Sequence, residues 1–400
     1  MQGEAVVTSG ASPCAPHRIM LALFYDDTHL ALRESAQRFV EREIRPHVAE
    51  WERAGWFPES LARTVGAAGL LGVGYPEALG GSGGDVFHRL IVTEALVRGG
   101  SGGVAAGLGS HAISLPLIID HGTDAQRARF VPPVLRGEQV ACLAVTEPGA
   151  GSDVAGITTR AVRDGDHFVI NGAKCFITSG VRADLAVVAA RTGEDGHGGL
   201  SLFIVERGTP GFVASAPMEK MGWRASDTAT LFFDGCRVPA ENLLGEQDAG
   251  FYLLMSNFVP ERLMLAAMAV ATAKLALEEA ERYAVERAAF GRNIGRFQVI
   301  RHRLADMATR EESARAFVAV VAERARRGED VVAEVAMAKN HAVDACLWVC
   351  DQAVQIFGGH GYMAEHLVER LYRDARLLPL GGGTSEIMRE IIVRRRGYGG

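Results

Sequence analysis

Three short stretches hold residue types that can do chemistry. The first is Leu143-Ala-Val-Thr-Glu-Pro-Gly-Ala-Gly-Ser-Asp153. Leu143 to Thr146 read as the end of a strand, and Glu147, standing before Pro148, is driven to extended backbone. Gly149 to Asp153 then form a glycine-rich turn whose peptide N–H groups can lie open to an acceptor-rich ligand. The second stretch is Lys174-Cys-Phe-Ile-Thr-Ser-Gly180. On a strand, Phe176 and Thr178 share a face, so an aromatic surface stands beside a hydroxyl. The third is Val259-Pro260-Glu261-Arg262, which reads as the opening of a long helix. A carboxylate can move protons, but an acid just after a proline is also what the macrodipole favours at a helix start.

The elements that must position these residues fall into three regions. Asp27 to about Gln139 is helical in pattern: Leu32, Ala36, Phe39 and Val40 recur at spacings of three and four behind a cap at Asp27 or Thr28. Pro46 interrupts that helix, Gly66 to Gly84 reads as loops, and Pro132-Pro133 predicts a break. From about Val140 to Gly250 the pattern changes to strands and turns. Phe168 to Ile170, Asn171-Gly172 and Lys174 to Thr178 read as a hairpin, because Asn-Gly favours a type I′ turn. Leu185 to Ala189, Leu200 to Val205, Phe212 to Ala214 and Thr230 to Phe233 are further strands, dense enough for a small barrel or sandwich. Helices return from Phe251 to Arg396, with one stripe at Phe297, Ile300, Leu304, Met307, Phe317, Val320 and Val321 and a long apolar helix over 336–356. The fold class is α+β: a flexible extension over 1–20, a helical domain over 21–139, a β domain over 140–250 and a helical bundle over 251–400. Gly359-His-Gly361-Tyr-Met-Ala364 matches a loosened dinucleotide fingerprint, but a helix rather than a strand precedes it, so a Rossmann reading fails.

Composition excludes several function classes. The 400 residues are 48% hydrophobic and 22% charged, with a net charge of −6, so no basic field points to nucleic acid. No apolar run approaches membrane-spanning length. The six cysteines are scattered, and Cys346 and Cys350 lack partners at metal-ligand spacing, so no metal is expected. The first twenty residues lack the apolar core of a signal peptide. They read as a loose extension, with Met20 the natural start, and a cytoplasmic location is expected.

The first two stretches, together with Arg287-Ala-Ala-Phe-Gly-Arg292, Gln355-Ile-Phe-Gly-Gly359 and Gly383-Thr-Ser-Glu-Ile387, resemble the acyl-CoA dehydrogenase family in the same order along the chain. The resemblance runs from about Tyr25 to Arg396. It implies an N-terminal helical domain, a middle β domain and a C-terminal four-helix bundle, holding FAD and desaturating an acyl thioester between Cα and Cβ. By the same resemblance, Leu143, Val145, Thr146, Gly151, Ser152, Phe176, Ile177 and Thr178 fall on flavin positions. Phe176 stands where many members carry Trp, and Leu143 where some carry Tyr. Arg287, Phe290, Phe297, Gln298, Gln355, Ile356, Phe357, Gly358 and Gly359 match positions that reach the FAD of a neighbouring subunit. Thr384, Ser385 and Glu386 match flavin neighbours, and Ser152 also lies near the substrate's carrier group.

The base is implied by a loss and a gain. Many members carry a catalytic Glu immediately before the Gly-Thr of the last motif, where this chain has Gly382. Isovaleryl- and long-chain-type members carry the base on the first long C-terminal helix instead, and Glu261 stands there, with Arg262 at the family's arginine position. Glu261 is then the catalytic residue, Ser152, Arg262, Gly382 and Gly383 lie against substrate, and the pKa of Glu261 is raised by apolar burial. The space around Gly381, Gly382 and Gly383 leans towards a branched or bulky acyl group. The resemblance further implies a homotetramer passing electrons to an electron-transfer flavoprotein. Three other readings stand beside it: a dehydrogenase of acyl groups on acyl carrier protein, an oxidase or flavin monooxygenase on the same scaffold, and a catalytically silent flavin-binding protein.

Overall fold

The computed structural model describes residues 23–194 and 196–398. The expected loose extension over 1–20, with its start at Met20, lies outside the described residues.

Capping side chains set the first helices. Asp26 accepts from the amides of Thr28 and His29 and opens α1 (Asp27–Glu43). Pro46 lies in the turn before α2 (Val48–Ala54), and α3 (Glu59–Ala67) follows. Asp85 caps α4 (Val86–Arg98) as Asp26 caps α1. Then come α5 (Gly102–Leu108), α6 (Leu115–His121) and α7 (Asp124–Leu135). The break predicted at Pro132-Pro133 is not there: both prolines lie inside α7. Their missing N–H groups fall in its last turn, where the ladder of i→i−4 bonds is about to end.

The middle of the chain is one eight-stranded sheet: β1 (Ala141–Ala144), β2 (Arg160–Asp164), β3 (His167–Thr178), β4 (Leu185–Arg191), β5 (Leu200–Glu206), β6 (Phe212–Ala214), β7 (Thr228–Pro239) and β8 (Leu243–Leu244). Its order is β6-β7-β3-β2-β4-β5-β8, with β1 pairing parallel to β4. Every residue of β4 is buried, and its two faces serve two cores. Leu185, Val187 and Ala189 pack with Leu117 and Ile118 of α6 and Phe130 and Val131 of α7. Ala186, Val188 and Ala190 pack inward with Phe168, Phe203, Leu231 and Phe233. This is the period-two partition of a strand covered on both sides.

The predicted hairpin at Asn171-Gly172 is absent. β3 runs straight through it, paired with β7 from His167↔Pro239 to Thr178↔Thr228. The Asn171 side chain accepts from the Gly235 amide at 2.7 Å, and Gly172, at φ +147°, sits at a register shift. The real hairpin joins β2 to β3 around Gly165, at φ +63°.

The last region is helical. α8 (Gly250–Glu286) is followed by a ribbon of β9 (Ala288–Ala289) and β10 (Arg292–Asn293), then α9 (Gln298–Arg326), α10 (Val332–Phe357), α11 (Leu367–Ala375) and α12 (Ser385–Arg396). Buried alanines at 266, 267, 269, 273, 276 and 280 on α8 and at 336, 338, 342, 345 and 353 on α10 let these helices approach closely. Met307 and Val321 of the predicted stripe are buried, whereas Val320 is 47% exposed. Pro260-Glu261 does not open α8: the helix begins at Gly250 and carries Pro260 in its interior. No helix among the described residues is long and apolar enough to cross a membrane.

Candidate active site

Glu261 lies about three turns into α8, beyond the reach of the N-terminal dipole. Its Oε2 is buried and has no hydrogen-bond partner among the described residues. Burial raises its pKa from 4.5 to about 7, against the opposing pull of the Arg262 and Lys339 cations. Across from it runs the loop 381–383. A Cβ built on Gly382 would fall 3.3 Å from Glu261 Oε1, 2.5 Å from Leu265 Cδ1 and 3.7 Å from Lys339 Nζ. Gly382 is at φ +63° and Gly383 at +94°, a conformation that glycine adopts without strain. Arg262 Nε donates to the Gly382 carbonyl at 3.0 Å, and its guanidinium stands 5.3 Å over the Phe258 ring. Lys339 Nζ donates to the carbonyls of Gly381 and Gly383. Glu261, Arg262, Gly382 and Gly383 are therefore brought together, with Lys339 completing the set.

The glycine-rich turn is built on a bulge. Between Lys174↔Leu231 and Ile177↔Ala229, β3 carries one residue more than β7. Phe176 sits there at φ +59° with 68% of its surface exposed, a left-handed conformation that a phenylalanine adopts only under constraint. The bulge re-aims the ring out of the sheet. Its neighbour Cys175 gives its N–H to the Thr146 carbonyl at 2.8 Å, tying the strand to the turn. Glu147 and Ala150 close the turn by exchanging backbone bonds. Fully buried Lys174 donates to the Val145 carbonyl at 3.0 Å and to Glu147 Oε1 at 2.8 Å. Glu147 also accepts from the amides of Thr158 and Thr159 and the Thr158 hydroxyl. Burial alone would raise the Glu147 pKa, but Lys174 and these donors outweigh it and hold it at about 2. Nothing stands within 4 Å of where a Cβ would project from Gly149 or Gly151, and Ser152 is exposed, so the backbone here is open.

This turn and the Glu261 site share a wall. Leu143 and Phe258 both pack on the cluster that holds Val145, Ala150 and Leu254. Thr178 stays on the more open side of β3, but Ile177 does not: its side chain lies in the sheet core, leaving only its backbone available. On the last motif, the Thr384 hydroxyl oxygen caps α12 by accepting from the Ile387 amide, Ser385 is buried and Glu386 is exposed.

The remaining predicted residues sit elsewhere. Arg287 follows the last residue of α8, about 39 Å along the helix axis from Glu261. Around it, Phe290 stands 94% exposed at φ +51° on the tip of the β9–β10 ribbon, Phe297 is half-buried and Gln298 exposed. Gln355, Gly358 and Gly359 are exposed at the same end of the bundle, where Phe357 stacks on Tyr283 with ring centroids 4.0 Å apart. Ile356 and Phe357 are core side chains, so they offer a ligand nothing but backbone. Within one chain this group does not meet Glu261. Sequence reasoning assigns no role to Glu147, Lys174 or Lys339. The first two stand inside the quoted motifs, but charges 27 residues apart carry no spacing signal.

His29, Asp85 and His88 form a compact cluster of potential metal ligands away from this site. Its atoms are engaged in the paired caps of α1 and α4, with His29 Nε2 3.0 Å from Asp85 Oδ1.

Comparison with known proteins adds independent findings. The chain matches the acyl-CoA dehydrogenase N-terminal domain over residues 26–138, the middle domain over 142–236 and the C-terminal domain over 248–397. It is 40% identical over 375 residues to the mitochondrial long-chain specific acyl-CoA dehydrogenase of Sus scrofa, covering 92% of this chain and 86% of that one. It is 38% identical over 377 residues to the mitochondrial isovaleryl-CoA dehydrogenase of Oryza sativa, covering 93% and 92%. The crystal structure of a probable acyl-CoA dehydrogenase from Mycobacterium abscessus superposes with a TM-score of 0.92 at 52% identity, over 94% of this chain and all of that one.

Proposed function

The chain belongs to the acyl-CoA dehydrogenase family, whose members are FAD-dependent oxidoreductases, and from that premise we propose that Glu261 is the base of its reaction. The observation that carries this is the Glu261 carboxylate facing Gly382 with its Oε2 buried and unpartnered among the described residues, and burial raises its pKa to about 7. A base is most effective when its pKa lies near the working pH, so that it is ionised yet still takes a proton readily. Glu261 removes the α-proton of an acyl thioester and the Cα–Cβ double bond forms. Gly382 leaves the room a side chain would fill, and its peptide N–H helps bind the thioester oxygen as charge builds there. Arg262, bonded to the Gly382 carbonyl, fixes the peptide that follows that N–H in the same loop.

The residues of the bulge and turn fit FAD. An exposed aromatic ring held in a constrained conformation stands beside a hydroxyl and a glycine turn with open space at Gly149 and Gly151. Leu143, Val145, Thr146, Gly151, Ser152, Phe176, the Ile177 backbone and Thr178 would hold the flavin half, with Thr384, Ser385 and Glu386 beside it. When bound, the cofactor supplies the two-electron acceptor for the hydride leaving Cβ. Arg287, Phe290, Phe297, Gln298, Gln355 and the backbone of 356–359 serve the cofactor of a neighbouring subunit. Their distance along α8 from Glu261 supports that reading, and the assembly is a homotetramer. Ser152 and Gly383 line the substrate's path, and the acyl group is branched or bulky. An electron-transfer flavoprotein in the cytoplasm takes the electrons.

Anaerobic titration of the holoprotein with short, branched and long acyl-CoA thioesters tests this by bleaching of the flavin band. Bleaching of the wild type that is lost in Glu261→Gln is the expected result. Bleaching that survives the substitution removes Glu261 as the base. If no CoA thioester bleaches the flavin, acylated carrier proteins come next, and silence there as well leaves a flavin-binding protein without this chemistry.

A further inference from the structure

Lys339 is a lysine where a lysine is costly. It is 1% exposed, in the bundle interior, although an ammonium loses most of its hydration there. Two of its three N–H groups are spent on backbone carbonyls that flank Gly382, those of Gly381 and Gly383. It reaches them from α10, whereas Glu261 reaches the same loop from α8. The position of the absent Gly382 Cβ lies 3.3 Å from Glu261 Oε1 and 3.7 Å from Lys339 Nζ, so the two charges are no more than about 7 Å apart. The charged groups that face Glu261 are Arg262 from its own helix and Lys339 from α10. The loop 381–383 adds only backbone.

We propose that Lys339 is a positioning residue for proton abstraction: it ties Gly381 and Gly383 to α10, so holding Gly382 against the Glu261 carboxylate, and its charge keeps that carboxylate ionisable. This rests on the reading of Glu261 as the base. The two tasks are separable. The tether needs N–H donors, since three successive glycines have no side chains with which to anchor themselves. The electrostatic task needs only the charge. Arg262 holds a different carbonyl, that of Gly382, between the two that Lys339 holds. A unit charge about 7 Å away in a partly buried site is worth roughly one to two pKa units on its neighbour.

The test follows the protonated-carboxyl infrared band of the holoprotein that vanishes in Glu261→Gln, recording its titration midpoint. Lys339→Gln keeps N–H donors for the carbonyls and removes the charge. The midpoint should rise by roughly one to two units, and the pH profile of flavin bleaching should move with it. Lys339→Arg retains the charge and should leave the midpoint within about half a unit of wild type. A midpoint unmoved in Lys339→Gln overturns the inference, as does bleaching that falls equally at every pH. If Lys339→Gln does not fold, Lys339→Met against Lys339→Arg reads tether and charge together, and a midpoint equal in the two overturns the inference. Bleaching that survives in Glu261→Gln would instead remove the base, and the role given to Lys339 with it. Bleaching lost in Glu261→Gln with an unmoved midpoint removes only the present inference.

Discussion

Glu261→Gln should gain stability relative to the wild type as pH rises, while abolishing its reaction. The native carboxyl titrates at about 7 and its ordinary value is 4.5. An acid whose pKa is raised by folding binds its proton more tightly in the native state. Between those two values the native chain therefore holds more protons than the unfolded chain, and stability falls as pH rises through the window. The penalty is nearly absent below the lower value and complete above the upper one. Integrated from about pH 5 to about pH 8.5, it amounts to about 2.5 kcal/mol. Glutamine is nearly isosteric and does not titrate, so the variant escapes this loss. It has a fixed cost of its own, because its amide also finds no partner where Oε2 has none. That cost is independent of pH and cancels in the comparison. Denaturant unfolding of the wild-type and Glu261→Gln holoproteins at the two pH values gives the difference directly. The stability gap should shift in favour of Glu261→Gln by about 2.5 kcal/mol between acid and alkaline pH. A gap that stays constant would show that the carboxyl titrates as an ordinary surface group, and the matching of its pKa to neutral pH would collapse as an argument for its role.

Other substitutions probe the parts that hold the site. Gly382→Ala should cost about 2 kcal/mol, read from denaturant midpoints, because the residue is at φ +63° and its Cβ would displace the Leu265 methyl group; unchanged stability would mean that the loop is free to relax. Phe176→Gly should stabilise the apoprotein by about 1 kcal/mol through release of its left-handed backbone, while weakening flavin retention measured by absorbance after dialysis. Flavin held as tightly as in the wild type would remove the ring from the cofactor site. Lys174→Met leaves the Glu147 charge buried and should cost about 3–5 kcal/mol, most of it regained in the Lys174→Met/Glu147→Leu double variant. Failure of the second change to restore stability would mean that Glu147 is needed for its bonds to Thr158 and Thr159 rather than for its charge.

What the sequence hides here is what depends on non-local pairing. Asn171-Gly172 is a strong local turn signal, yet twelve residues of β3 pair with β7, and that ladder outweighs one dipeptide. The bulge that turns Phe176 outward is a mismatch of one residue between two strands, so period-two reasoning on β3 alone cannot contain it. Lys174 and Lys339 carry no signal in the sequence, because only folding brings carbonyls and a carboxylate to them. The Glu261–Gly382 pair was legible only through the family resemblance, because which element carries the acid and which lacks it is read against other members and does not depend on this chain's geometry. Its local alternative, an acid placed by the helix dipole, depended on Pro260 opening α8. The helix starts at Gly250 instead, and the dipole acts only over the first turn. With that stabilisation gone, nothing near Glu261 among the described residues favours folding with the carboxylate charged except Arg262 and Lys339, and burial outweighs them both. A group that lowers stability across the neutral range, and whose neighbours only partly offset the cost, is better explained by what it does to a proton than by what it does for the fold.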